Sequence, residues 1–470
     1  MKHWLKLLGG FYQMRALYDS KSKTIDDRGI KALFSDEEKY KTWLLFESAL
    51  AQAQAEEGFI PEEAAKDIKK AAKVENIDFE EMDRIYRKIG HGFVPFLKVL
   101  VKACPEESGK YVHYGITTQN IQQSSQLYMV KQVHDKYMQL LGEILENLSK
   151  LAEENKDAVM AGRTHGRHAT PITYGYKVSA WISDFIECYE RMREVEKRVF
   201  KIMMGGAVGT FSSMPEVGPT VQKRVAELTG MYPMEVPSRN ISTHKIEYMM
   251  NLALMANICH KIGEEVYSTT LEEIGEVSEG FSKGTVGSST MPHKINPKLA
   301  KGIVANSQKL YSLPGVGMYS SVRPYEGDSS SYMLFDGILE EALELTTEVL
   351  LRTEELTRTM VPHRERMLHN ALRNKGLDNC EHVMMELATK LGKDQAHSLM
   401  YEIAMKTADE GEDFYTNLIA NDIISNEFTA EEVQAMIDPR NYIGLSVQIA
   451  EKESKRAEVL AKEIAAEYSN

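Results

Sequence analysis

Apolar residues recur every three or four positions along most of this chain, which is the spacing of a helix with one buried face. This spacing predicts helices over residues 36–57, 61–74, 121–155, 174–204, 244–282, 298–313 and 335–358. Ser35 is a suitable N-terminal cap for the first of them. The alternating pattern typical of strands is weak throughout. The sequence therefore predicts an all-α fold.

The longest predicted helices approach 30 residues or more, which is about 45 Å at 1.5 Å per residue. A compact monomer cannot cover such helices on all sides, so we expect them to pack against one another and against other copies of the chain. From residue 364 onward the pattern changes to shorter helices, with stops at Gly376, Gly392 and Pro439.

The composition of the chain excludes several classes of protein. The net charge of −13 over 470 residues argues against a general nucleic-acid surface, although it permits local cationic pockets. The N-terminal residues contain no full signal-peptide core, and no run approaches the roughly 20 apolar residues of a membrane span. We therefore expect a cytoplasmic protein with neither a membrane nor a nucleic-acid partner. The cysteines are widely separated and are expected to be reduced core thiols, namely Cys104, Cys188, Cys259 and Cys380.

The most informative stretch is GSSTMPHKINP, residues 287–297, which lies between two predicted helices. Its small residues permit close backbone approach and movement, and its prolines interrupt helical hydrogen bonding. Lys294 supplies a cation and Asn296 an amide, and both suit a carboxylate. Ser288 and Ser289 supply hydroxyls, one of which could act as a base once deprotonated.

Two further blocks carry candidate chemistry. YVHYGITTQN, residues 111–120, places Thr117 and Thr118 at a probable helix N-terminus, where free N–H groups can bind a carboxylate; simple helix capping is the alternative. AGRTHGRHATPITYGYK, residues 161–177, holds His165 among arginines, which suits a proton donor in an anionic site. His165 and His168 lack a further ligand at metal-binding spacing, so no metal site is predicted.

These blocks together resemble the fumarase/aspartase superfamily. GSSTMPHKINP is similar to its signature, and the histidine before the lysine is similar to the adenylosuccinate lyase and carboxymuconate cycloisomerase branch. The resemblance implies a three-domain fumarase/aspartase-like fold with a central bundle of long helices. It divides the chain into residues 1–112, 113–363 and 364–470, with the signature loop at 284–297. It also implies a homotetramer whose active sites each take blocks from three subunits.

The resemblance implies a role for each matched residue. Ser288 would be the base, Lys294 and Asn296 would hold the carboxylate on which charge develops, and His165 would protonate the leaving group. The substrate-binding set would be His91, His113, Thr117, Thr118, Gln119, Thr164, Ser289 and Met291. The implied reaction is a cofactor-free β-elimination from a small dicarboxylate of succinyl or aspartate type, which releases fumarate.

The sequence departs from the branch at positions that bear on the substrate. Lys301 stands where many members have a glutamate that pairs with the acid histidine, and carboxymuconate cycloisomerases also lack that glutamate. Gly327 follows Glu326 where adenylosuccinate lyases have a phosphate-binding arginine, and Ser242-Thr243-His244 replaces an Arg-Asp segment. A phosphate with so few cationic partners would bind poorly. The sequence therefore does not assign a nucleotide substrate.

Three hypotheses follow. The first is a lyase that cleaves a C–N bond, or less favourably a C–O bond, and releases fumarate. The second is a cycloisomerase of the carboxymuconate type, which product analysis distinguishes because it makes a lactone. The third is a non-catalytic helical oligomer, against which the intact Ser288, Lys294, Asn296 and His165 argue.

Overall fold

A computed structural model describes residues 25–281 and 286–468 of the chain. The described residues are mostly helical, and the few strands are short. The all-α prediction is confirmed. Residues 1–24, and the first two positions of the predicted loop 284–297, lie outside the described residues.

The helices are numbered in chain order. They are α1 (Asp36–Glu56), α2 (Glu62–Ala71), α3 (Phe79–Ile89), α4 (Val94–Ala103), α5 (Glu106–Gly109), α6 (Thr118–Glu154), α7 (Tyr174–Val199), α8 (Gly218–Thr229), α9 (Thr243–Thr269), α10 (Lys298–Leu310), α11 (Leu313–Ser321), α12 (Ser329–Thr359), α13 (Arg364–Ala371), α14 (Cys380–Leu391), α15 (Lys393–Glu410), α16 (Phe414–Ile419), α17 (Asp422–Glu427), α18 (Ala430–Met436) and α19 (Ser446–Glu467).

The strands form three two-stranded pairs among the described residues. They are β1 (Val159–Thr164) with β2 (Arg167–Thr173), β3 (Lys201–Ile202) with β4 (Tyr232–Pro233), and β5 (Val277–Ser278) with β6 (Val361–Pro362). The first and third pairs are antiparallel and the second is parallel. Only β1–β2 is long enough to form a proper hairpin.

The predicted helices agree with the structure except for one. α1 begins after Ser35, whose hydroxyl accepts a hydrogen bond from the Glu38 N–H at 3.2 Å, as expected of a cap. The helix predicted over residues 244–282 is wrong in its second half, because α9 ends at Thr269. There the Thr269 hydroxyl donates to the Glu265 carbonyl at 2.7 Å, and Gly275 turns the chain with a φ of 62°.

The chain forms two compact units, each built from three separate segments. Unit 1 contains the described residues up to 138 together with 189–256 and 306–351, and unit 2 contains 139–188, 257–305 and the described residues from 352 onward. The division into three domains remains a prediction.

Unit 1 has an aromatic core beneath its first helices. Trp43 of α1 meets Phe93 at 4.8 Å and Phe96 at 5.3 Å between ring centroids, in edge-on arrangements that aromatic rings favour. α6 and α12 also meet in this unit, where the Tyr137 hydroxyl donates to the Leu343 carbonyl at 2.7 Å. The Tyr137 contact joins the middle of α6 to α12 within unit 1.

Unit 2 combines a hairpin with two helical clusters. β1 packs on α13, while α14 to α18 enclose an apolar core that includes Val383, Leu387, Phe414 and Leu418. α19 lies against the later part of α6, where the hydroxyls of Ser149 and Ser454 each donate to the carbonyl of the other residue.

Within the described ranges, no helix combines the length and the apolar character that crossing a lipid bilayer requires. The four cysteines are free thiols, and Cys104, Cys188 and Cys259 are buried. Burial raises the pKa of the Cys259 thiol to about 12, which keeps this group protonated and unreactive.

Candidate active site

In the loop that follows β5, backbone N–H groups donate hydrogen bonds to the Ser288 hydroxyl. The Ser288 Oγ accepts from the Met291 backbone N–H at 3.1 Å and, more weakly, from the Thr290 N–H at 3.4 Å. Backbone N–H groups stabilise negative charge on an oxygen, as in an oxyanion hole. The local fold therefore supplies what a serine needs to act as an alkoxide base.

Contacts between the two ends of the loop, at residues 286–287 and 294–298, set its shape. A Cβ on Gly287 would collide with the Lys294 carbonyl oxygen, so only glycine fits there. The Asn296 Nδ2 donates to the Gly287 carbonyl at 2.9 Å, and the Lys298 Nζ donates to the Val286 carbonyl at 2.9 Å. One of the two N–H donors of the Asn296 amide is therefore used to close the loop.

The remaining predicted loop residues are open to solvent. Ser289, Met291 and Lys294 are exposed, while Ser288 and Asn296 are half-buried. At the end of the loop the Glu279 carboxylate accepts from the N–H groups of Leu299 at 3.0 Å and Ala300 at 2.7 Å, and so caps α10. The loop is thus anchored at its end, with its functional side chains outward.

His165 stands at the tip of the β1–β2 hairpin. The strands end at the paired residues Thr164 and Arg167, so His165 and Gly166 form the two-residue turn. Both have a positive φ, 53° and 75°, as a type I′ turn requires. His165 and Thr164 are exposed. The block was predicted as a break between helices, and its hairpin projects the histidine away from the core.

A buried ion pair joins this hairpin to the segment that leads into the loop. The Arg163 guanidinium donates to both oxygens of Glu276, at 2.8 and 2.6 Å, in a bidentate pair. Glu276 is fully buried, and the Asn370 amide also donates to it at 2.9 Å. The hairpin strand and the residue just before β5 are therefore held together within unit 2.

His113 in unit 1 is paired with a buried carboxylate. Its Nδ1 lies 2.7 Å from the Glu47 Oε1, and its backbone N–H donates to the Glu47 Oε2 at 3.1 Å. Glu47 is only 1% exposed. His113 has a φ of 59°, uncommon for a residue other than glycine. Glu47 thus fixes the orientation of the ring through Nδ1.

The threonine block lies at the beginning of α6, as predicted. α6 begins at Thr118, and Thr117, Thr118 and Gln119 are half-buried. The buried Asn120 accepts from the Thr117 N–H at 3.1 Å and from the Gly206 N–H at 3.0 Å. Asn120 therefore ties this helix start to the small-residue turn after α7.

His91 has a structural contact that the sequence did not indicate. Its Nδ1 accepts from the N–H groups of Phe93 and Val94, both at 3.1 Å, so it caps α4. An acceptor Nδ1 places the proton of the neutral ring on Nε2.

The His168 ring pairs with a carboxylate in unit 2. Its Nδ1 lies 3.1 Å from the Asp378 Oδ2. In the parts of the chain described here, no group of three or more His, Cys, Asp or Glu side chains is placed to hold a metal ion.

The predicted site residues fall into two sets. Unit 1 contains His91, His113, Thr117, Thr118 and Gln119, whereas unit 2 contains Thr164, His165, Ser288, Ser289, Met291, Lys294 and Asn296. Each set comes from separate stretches of sequence that the fold brings into one unit.

Comparison with known proteins shows the family to which the chain belongs. Residues 22–308 match the family model described as Lyase, and residues 376–452 match the one described as Adenylosuccinate lyase C-terminus. The chain is 34% identical to the adenylosuccinate lyase of Methanocaldococcus jannaschii over 90% of this chain and 92% of that protein. The chain belongs to the fumarase/aspartase superfamily. It is an enzyme of that superfamily, an adenylosuccinate lyase-like β-elimination lyase.

Other superfamily members similar to this chain differ in name. One is the N-acetyl-S-(2-succino)cysteine lyase of Enterococcus italicus, 32% identical over 88% of this chain and 91% of that protein. Another is the solved 3-carboxy-cis,cis-muconate lactonizing enzyme of Pseudomonas putida, with a TM-score of 0.82 and 26% identity over 93% of this chain and 98% of that one. The proteins similar to this chain therefore include both an adenylosuccinate lyase and a lactonizing enzyme of the carboxymuconate type.

Within this superfamily fold, two acidic residues near the candidate site were missed from sequence. Glu47 lies in the apolar run WLLFESAL, and a carboxylate on the buried face of a helix is a signal that could have been followed, because such a charge needs a partner. Glu276 offered no such signal, since its partner Arg163 is distant in sequence.

Proposed function

We propose that this enzyme cleaves the C–N bond of an N-succinyl or aspartate-derived substrate and releases fumarate. The observation that carries the proposal is the Ser288 hydroxyl, held by the Met291 N–H at 3.1 Å in a loop that also presents Lys294.

In the first step Ser288, as an alkoxide, takes a proton from the carbon beside a carboxylate of the succinyl group. The electron pair of that C–H bond moves toward the carboxylate, which then carries two negative charges. Lys294 and Asn296 hold this carboxylate, and a fixed cation stabilises such charge most effectively where water is excluded.

In the second step the electron pair returns to form the C=C bond of fumarate, and the bond to the leaving nitrogen breaks. His165, at the hairpin tip, donates a proton to that nitrogen, so a neutral amine departs. Thr117 and Thr118 at the start of α6 hold a carboxylate of the substrate, and His113 meets it through Nε2. His91, Gln119, Thr164, Ser289 and Met291 complete the substrate-binding set.

We also propose that the enzyme is a homotetramer. Large apolar side chains are exposed on α9, α11 and α12, including Leu254 at 51%, Tyr319 at 77% and Met333 at 76%. Exposed apolar surface of this kind is typical of protein interfaces. Free thiols at all four cysteines fit a reducing compartment, which supports a cytoplasmic location.

Incubation with fumarate and a panel of amines and thiols tests the reaction, because elimination is reversible. We expect enzyme-dependent adducts in which the nucleophile is joined to a succinyl carbon, detected by mass spectrometry. Failure of every nucleophile to add, with folded enzyme and excess fumarate, would contradict the proposal.

A cycloisomerase of the carboxymuconate type is the second candidate. It is favoured by Lys301, which lies exposed in the first turn of α10 where a glutamate would support the acid histidine, and by the likeness to a lactonizing enzyme. Formation of a lactone from 3-carboxy-cis,cis-muconate, without addition of any amine or thiol to fumarate, would favour this candidate.

A further inference from the structure

Gly327 has no side chain, and the Arg239 guanidinium occupies the space beside it. A Cβ on Gly327 would lie 2.8 Å from Nη2 of Arg239 and 2.9 Å from the Tyr332 hydroxyl oxygen. The Arg239 guanidinium reaches this space from the loop before α9.

Hydrogen bonds hold the two loops together. The Asn240 Nδ2 donates to the Tyr325 carbonyl at 3.0 Å, and the Arg323 Nη1 donates to the Arg239 carbonyl at 2.8 Å. The position of Arg239 is therefore fixed by the backbone of both loops, all within unit 1.

Three of the polar atoms around this point have no hydrogen-bond partner among the described residues. Arg323 is only 8% exposed, yet its Nη2 has no hydrogen-bond partner in the described part of the chain. The same holds, among the residues described, for the buried Nε of Arg239 and the buried hydroxyl of Tyr332. The Arg323 guanidinium stacks 4.3 Å from the Tyr332 ring centroid. Buried donors are nearly always satisfied in folded proteins, so unmet ones point to a ligand.

A second buried cation lies close by. Lys245 is 2% exposed, and its Nζ donates to the Gln123 Oε1 at 3.4 Å. Burial, and after it the charge of Arg323, lowers the pKa of Lys245 to about 7. Gln123 in turn donates to the Gln119 Oε1 at 3.0 Å. The cation is thus linked through amides to a predicted substrate-binding residue.

Lys245, Arg323, Tyr332 and Gln119 line one cavity of about 410 Å³ in unit 1. The formal charges on its wall balance, with Lys39, Lys245 and Arg323 against Asp36, Asp336 and Glu340. Arg239 beside Gly327 adds one positive charge, and Asp328, the next residue, whose charge also acts on Arg323, adds one negative charge. With Lys245 protonated the formal charges therefore remain balanced, which suits one carboxylate better than a phosphate dianion, and the planar guanidinium groups match two carboxylate oxygens.

We propose that Arg239, Lys245, Arg323 and Tyr332 form a subsite for a carboxylate carried by the leaving group. This inference rests on the proposed function and narrows its substrate class. The substrate is then a succinyl adduct of a small amine that bears one carboxylate, rather than of a nucleotide.

The test measures the rate at which nucleophiles that differ only in their anionic group add to the double bond of fumarate. Glycine is paired with glycinamide, while O-phosphoethanolamine provides the phosphate arm. We expect kcat/KM to be at least about tenfold higher for the carboxylate than for its amide. Arg239→Met should reduce that ratio to about one by lowering the rate of the carboxylate.

Arg198→Met is the matched control, because Arg198 is an exposed arginine of the same unit that pairs with Glu247 at 2.6 Å. The control should keep the wild-type ratio. If Arg239→Met does not fold, Gly327→Ala serves instead, since the added methyl group displaces the Arg239 guanidinium. The same loss of preference is expected from it.

A carboxylate preference that persists in both variants would overturn the subsite, as would equal rates for acid and amide or a preference for O-phosphoethanolamine in the wild-type enzyme. In each of those cases addition to fumarate still occurs, so the proposed function stands. If no nucleophile adds, the proposed function itself fails and the subsite fails with it.

Discussion

Two histidines of the candidate site have backbone conformations that residues other than glycine rarely adopt. His113 has a φ of 59° and His165 a φ of 53°. Strain of this kind persists where the surrounding structure enforces it, and it concentrates at functional sites. The Glu47 carboxylate enforces it at His113, and the hairpin turn enforces it at His165.

Glu47→Gln tests whether Glu47 acts by positioning His113. The glutamine keeps the volume but removes the charged acceptor for the ring, so we expect kcat/KM to fall at least about tenfold, with a melting temperature near that of the wild type. Activity is measured on the succinyl adduct found with the fumarate panel. A double-mutant cycle with His113→Gln should give a coupling energy of roughly 0.5–3 kcal/mol.

Glu38→Gln is the control, since Glu38 lies on the same helix and pairs with the exposed Lys41. Additive effects of Glu47→Gln and His113→Gln would show that the carboxylate does not act through this ring.

How far single residues could be predicted depended on the range of their contacts. Ser288, Lys294 and Asn296 were identifiable because they lie within a few positions of one another and form one loop. Glu276 and Arg239 were not, because their roles arise from contacts with Arg163 and with the space beside Gly327. No local pattern encodes such contacts.

At the scale of elements, the helix pattern was the reliable signal. α1, α6 and α12 lie close to the predicted ranges 36–57, 121–155 and 335–358, although α12 begins earlier, at Ser329. The β1–β2 hairpin was missed because its strands are short and pass directly into α7. α9 ended early because threonine hydroxyls bind its last carbonyl groups, a local competition that apolar spacing does not report.

α12 carries an acidic face that should make stability depend on pH. Burial, together with the charges of the nearby Glu348 and Glu340, raises the pKa of Glu344 to about 7. Between pH 4.5, the ordinary value, and about 7, the folded chain retains a proton that the unfolded chain has lost. The stability contributed by this proton is therefore lost as pH rises through that window.

Glu344→Gln should accordingly raise the melting temperature at pH 8 and have little effect at pH 5, measured at one protein concentration. Glu386→Gln, on the exposed face of α14, should change neither. An equal effect of Glu344→Gln at both pH values would show that the carboxyl group does not titrate as described.

At the scale of the whole molecule, the division of the site residues has a consequence. Unit 1 holds the threonine block and His113, while unit 2 holds the signature loop and the His165 hairpin. The superfamily resemblance implies that each active site takes such blocks from three subunits. A site shared in this way requires the oligomer for activity.

Subunit mixing tests that arrangement. Ser288→Ala and His165→Gln subunits should each be inactive alone, and exchange between them should restore part of the activity if the two residues of one site come from different chains. The measurement is fumarate formation after subunit exchange has been verified by mass spectrometry. No recovery would place both residues of a site in a single chain.

The central claim is that Ser288 removes the proton beside the carboxylate, and fumarate formation by Ser288→Ala measures it most directly. The assay uses the succinyl adduct found with the fumarate panel, with Ser398→Ala on the exposed face of α15 as the control. We predict that Ser288→Ala lowers the rate roughly 10²–10⁴-fold with an unchanged melting temperature, while Ser398→Ala keeps the wild-type rate. A Ser288→Ala variant that forms fumarate at the wild-type rate would contradict the account.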